Sequence, residues 1–207
     1  MSMNKVIHAA IRRDLDRFER ALQSFPANDA DRAEKLGKAW DNFNDELTSH
    51  HTGEHEIAWP ALEQVGVSRE TLQIMDAEHE KMAAALGEAH GAIAALRMKP
   101  GSEEVATALS AIQRLREVTV DHLDHEEQEI EPVYQANADS PAMKDMARKF
   151  GRAQSLPRSG RFFAWVTDGA SPAERAALSE TVPKPVLVLL GLFGRGYRKE
   201  IAPVWTA

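Results

Sequence analysis

The chain contains no cysteine. Disulfides, thiolate metal sites and thiol nucleophiles are therefore excluded, and any metal must be held by nitrogen and oxygen. An excess of positive charge is also missing: 25 Lys and Arg against 32 Asp and Glu leave a formal charge of -7, whereas a nucleic-acid surface normally shows as a basic domain. No apolar run approaches the roughly 20 residues that a membrane-spanning helix needs; the longest, PVLVLLGLF, covers residues 185–193. The opening MSMNKVIHAAIRRDL has no apolar core of signal-peptide length. A soluble cytoplasmic protein is expected, with neither nucleic acid nor membrane as a partner.

What is present is periodic. His8, Ile11, Leu15, Phe18 and Leu22 recur at steps of three and four, the spacing that gathers side chains on one helical face. A second stripe runs Leu36, Trp40, Phe43, Leu47, His50, Glu54 and Ile57, after a turn at Pro26-Ala27-Asn28-Asp29. The third holds Leu72, Met75, His79, Met82, Leu86, Ala89, Ile93 and Leu96, and Pro100-Gly101-Ser102 closes it. The fourth reads Val105, Ala108, Ile112, Leu115, Thr119, His122, Glu126, Glu129 and Val133. Long amphipathic segments with short connections predict an all-α, up-down-up-down four-helix bundle over residues 1–140.

Residues 141–207 are expected to form a C-terminal extension, a linker plus one or two helices packing on the bundle. RKFGRAQSLPRSGR, residues 148–161, has five basic residues and no acidic one and reads as a solvated linker. Ser171-Pro172-Ala173-Glu174 has the form of a capping box opening a helix through about Ser179. The apolar stretch beyond Pro185 is expected to dock on the bundle or to cover a dimer interface, so a monomer or a homodimer is anticipated.

The two halves echo each other. His8 and His79 are offset by 71 positions, while His50 and His122, and Glu54 and Glu126, are offset by 72. HHTGEHEIAWP and HLDHEEQEIEP both end in proline, with His ten and Glu six residues earlier. This register selects His122 and Glu126 over the competing pair His125 and Glu129. It also puts His51 and His55 off the interior stripe, in solvent or outside the direct contacts of the core. His90 lies eleven residues past His79, about 16 Å along a helix axis, and is expected to be an ordinary histidine.

A single histidine on an apolar face is usually a hydrogen-bonded core residue. Six convergent polar groups are different, because burying even one without a partner costs roughly 2–7 kcal/mol, against a total stability of about 5–15 kcal/mol. Divalent cations reverse the sign of that cost. His8, His50, Glu54, His79, His122 and Glu126 exceed what one tetrahedral ion needs and suit two, with the carboxylates placed to bridge. Imidazole accepts iron, zinc, copper or nickel, so donor type does not name the element.

These motifs, IHAAIRRDL, HHTGEHEIAWP, DAEHEKM and HLDHEEQEIEP, resemble the hemerythrin-like, or HHE cation-binding, family over about residues 4–135. The resemblance implies a non-haem di-iron centre, two iron ions with an oxo or hydroxo bridge as one form, in a four-helix bundle that meets O2, H2O2 or NO. Oxygen-carrying hemerythrins look like five-His, two-carboxylate sites with an HxxxH on the third helix; here the place four after His79 is Ala83. The departure speaks against oxygen storage and for an open position, completed by solvent, Glu129 or Tyr134. The expected function is breakdown of hydrogen peroxide or oxidative-stress defence. Reversible O2 or NO binding and iron storage stand as alternatives. His51, His55, His125 and Asp76 are candidates to orient the ligand imidazoles.

Overall fold

The computed structural model describes residues 1–206, apart from the side chain of Lys184. Four long helices carry the four stripes: α1 (Met3–Gln23), α2 (Ala30–Gly53), α4 (Arg69–Met98) and α5 (Ser102–Glu129). Three begin where a side-chain oxygen accepts from an otherwise orphaned backbone N–H. Ser2 accepts from Lys5, Asp29 from Arg32 and Ser68 from Thr71. Asn28 takes a positive φ of 63° in the α1–α2 turn, and its N–H donates to the carbonyl of Pro100, tying that turn to the one before α5.

The contacts close a ring: α1 on α5, α5 on α4, α4 on α2 and α2 on α1. Its interior is apolar at one end, where Phe18 meets Trp40, Phe43 and Trp205 with ring centroids 5.0–5.7 Å apart. Toward the other end the stripes turn polar, and His8, Glu54, Thr119, His122 and Glu126 are buried. No strand occurs among the described residues, and no single helix among them is long and apolar enough to cross a membrane.

The two echoing motifs fold differently. After Gly53 the chain widens into a π-helical turn, Glu54–Ala58, in which the N–H of Trp59 donates to the carbonyl of Glu54, and α3 (Trp59–Gln64) continues from it. Pro60 has no N–H to offer and its ring would collide with the carbonyl one turn back, so a wider turn relieves both problems. In the second motif α5 stops at Glu129 and a separate short helix, α6 (Glu131–Ala136), starts around Pro132.

The extension departs from the expected linker plus one or two helices. It forms α7 (Pro141–Ala153), α8 (Leu156–Thr167), α9 (Pro172–Thr181), α10 (Lys184–Phe193), α11 (Arg195–Glu200) and a 3-10 turn, Ala202–Trp205. The basic stretch at 148–161 is helical on both sides of Gln154-Ser155, and two of its five cations find partners in the bundle. Arg158 grips Glu46 through two bonds of 2.6 and 2.8 Å, and Arg161 donates to Asn42 at 2.7 Å. The capping box at Ser171 and Glu174 is present and opens α9. α10 packs on α8 where Gly160 leaves no room for a side chain, since a Cβ there would sit 2.7 Å from the carbonyl oxygen of Leu190. Its other face, Val186, Val188, Leu189 and Leu192, stays exposed.

Candidate metal centre

All six side chains singled out in the sequence meet at one level of the bundle. α1 brings His8, the end of α2 and the π-turn bring His50 and Glu54, α4 brings His79, and α5 brings His122 and Glu126. Their inner nitrogens converge. His8 Nε2 lies 3.1 Å from Glu126, His50 Nε2 3.2 Å and His79 Nε2 3.4 Å from Glu54, and the Nε2 atoms of His79 and His122 are 3.0 Å apart.

Ligand atoms fall into two groups, each within 4.8 Å: His8, His50, Glu54 and Glu126 in one, His51, Glu54, His79 and His122 in the other. Glu54 belongs to both. His51 is a correction to the sequence reading, which put it off the interior; the half-buried residue turns its ring into the cluster. Glu129, by contrast, is exposed and outside both groups, and Tyr134 packs with Ile57, Val133 and Ala142 against the smaller core cluster around Trp59. His90 lies apart and accepts from the Trp40 indole N–H at 3.1 Å.

Several of these atoms are buried without a hydrogen-bond partner: Nε2 of His8, His50 and His51, both oxygens of Glu54 and one of Glu126. So many orphaned acceptors in one place would be costly in a purely structural core. The donor set, neutral imidazoles with carboxylates between them, is what a pair of nitrogen- and oxygen-bound cations requires.

A family model for the hemerythrin HHE cation-binding domain matches residues 5–134, well over half the chain. The chain belongs to this family. Comparison with curated proteins and with solved structures gave no match. As a hemerythrin-like protein it is a cation-binding helical bundle, and the converging His and Glu residues are where a metal can be held.

The far side of the hemerythrin-like centre contains residues that helical spacing missed. His8 Nδ1 donates to Glu127 at 3.0 Å, and His122 Nδ1 donates to Glu78 at 2.9 Å, which turns each Nε2 inward as the atom that would hold a metal. Glu78 also accepts from His125, Arg12 also donates to Glu127, and Asn4 donates to Glu126. Trp59 stacks on His79 at 5.8 Å and donates to Asp76, whose carboxylate also holds the exposed His55. Glu78 and Glu127 each sit beside a predicted residue, yet they act across helices, and spacing within one helix carries no sign of that.

Electrostatics divide the donors. Burial, reinforced by the neighbouring histidines, holds His50 and His51 well below the usual imidazole range, and His79 falls to about 4 for the same two reasons. Burial also works against charge on His8, but Glu126 and Glu127 overcome it and raise its pKa. Burial and the nearby Glu126 raise Glu54 well above the ordinary carboxylate range. Burial opposes the charge on Glu126 too, yet His8 and His122 prevail and lower it.

Metal must therefore displace protons at His8 and Glu54, which hold them more tightly than ordinary imidazole and carboxylate groups do, and meets no such competition at His79 until about pH 4. Binding is expected to release protons and to weaken as pH falls. Calorimetric titration in buffers of different ionisation enthalpy measures that release. A buffer-independent heat with a flat affinity would contradict it.

Proposed function

We propose that the centre holds two iron ions and breaks down hydrogen peroxide, two molecules giving two of water and one of dioxygen. The observation that carries this reading is the pair of donor groups joined through the shared Glu54, with orphaned acceptors aimed between them. Iron bound there supplies the one-electron redox steps that peroxide decomposition needs; zinc, with no accessible second oxidation state, does not. The protein's part is to position and to keep the donors dry. Glu127 and Glu78 fix the His8 and His122 rings, and burial holds His50 and His79 neutral.

A shallow surface depression lies on the His79 side of the centre, beyond Trp59 and Asp76. It measures about 230 Å³ and is lined by Trp59 and Asp76 among others, the same two residues that flank His79.

Iron-loaded protein is expected to evolve oxygen from added peroxide, followed with an oxygen electrode, and His8→Ala or His122→Ala should lower the rate at least 100-fold. A loaded protein that leaves peroxide intact while forming a stable O2 or NO adduct in its visible spectrum would replace turnover with reversible binding.

A further inference from the structure

His51 follows His50 directly, so its side chain leaves the helix about 100° round the axis from its neighbour. A stripe that points His50 inward therefore assigns His51 to the flank. In the fold the flank of α2 faces α4, and the ring of His51 lies flat on that of His79, centroids 4.2 Å apart and planes at 20°. It meets His122 edge-on at 5.9 Å. Its Nε2 is shielded from solvent and has no hydrogen-bond partner, although the rest of the residue is half-buried. A residue there only for packing would leave this nitrogen's lone pair or N–H unused at a cost; a residue there to coordinate would not.

The opposite helix makes the same point. α4 supplies one histidine to the cluster, His79, and one turn further on stands Ala83, which has no donor atom. The ligand atom that joins His79, His122 and Glu54 within 4.8 Å comes from α2 instead, from His51.

We propose that His51 is a seventh metal donor, the third imidazole on the ion shared by His79, His122 and Glu54. The assignment rests on the two-ion centre proposed above. It makes the two ions chemically unlike: one has three imidazoles and the shared carboxylate, the other has His8 and His50 with the carboxylates of Glu54 and Glu126. It also removes the need for Glu129 or Tyr134 to complete the site.

The test uses the full chain titrated with ferrous iron under anaerobic conditions. His51→Phe keeps a flat ring against His79 but has no lone pair, so it separates coordination from packing. Two irons are expected in the unaltered chain. In His51→Phe one of the two should bind at least 10- to 100-fold more weakly, the loss that follows even from removing an outer partner of a metal ligand. The two Mössbauer signals of the unaltered protein should reduce to one at stoichiometric iron. His51→Ala should show the same defect and regain the second iron when free imidazole is added. Two irons bound with unchanged affinity and spectrum in both variants would overturn the assignment and leave the two-ion centre standing. An unaltered chain that takes up no iron would overturn both together.

Discussion

Glu54→Gln is expected to cost the protein both of its metal ions, where His8→Ala costs one. Glu54 is the only side chain found in both donor groups, with its two oxygens facing His50 on one side and His79 on the other. The amide keeps the shape and one weak acceptor but gives up the charge that holds two cations together. Iron per chain, measured after desalting, should fall from about two to near zero in Glu54→Gln. Retention of even one tightly held iron would show that Glu54 does not join the groups.

The same substitution should stabilise the metal-free protein. In that state the carboxyl is buried, neither oxygen has a hydrogen-bond partner, and its pKa is raised well above 4.5 by burial and by Glu126. A raised folded-state pKa contributes stability that is full below the unfolded value and is lost as pH rises through the folded one. At pH 7 the unaltered apoprotein therefore bears the strain of this group, and glutamine removes it, for a gain of about 1–3 kcal/mol. The gain should shrink as pH falls toward 4.5. An apoprotein melting lower with glutamine at pH 7 would contradict the assignment.

The second large effect is far from the metal. Trp165→Ala is expected to destabilise the chain by roughly 3–5 kcal/mol, a fall in melting temperature of about 6–20 °C for a protein of this size. Trp165 is fully buried, sits in the core cluster with Phe18 and Leu15, and donates its indole N–H to Asp14 at 2.8 Å. Asp14 is itself buried, and burial already raises its pKa against the pull of Trp165 and Arg17. Removing the indole leaves both a cavity and a half-satisfied carboxylate. Thermal unfolding of the metal-free form isolates the effect from metal binding; a drop of under about 2 °C would mean that the C-terminal helices add little to the core.

The sequence by itself determined the four long helices and the level of the bundle at which the donors meet. The apolar period is a property of neighbours along one helix, and His8, His50, Glu54, His79, His122 and Glu126 keep that period, so each had to face inward once its helix packed. The capping box at Ser171 was readable for a like reason, since its partners are three residues apart.

Only the tertiary structure decided which flanks meet. His51 is on the flank of α2 by its own helix and in the cluster because α4 lies against that flank. Glu127 reaches His8, and Arg158 reaches Glu46, across more than 100 residues of chain. The stretch that looked like a solvated linker is helical, and Arg158 and Arg161 within it are held by Glu46 and Asn42 on a distant helix. Periodicity records what a residue does within its own helix. A bond between helices depends on how their axes are rotated against each other, and the packing of all of them together sets that angle.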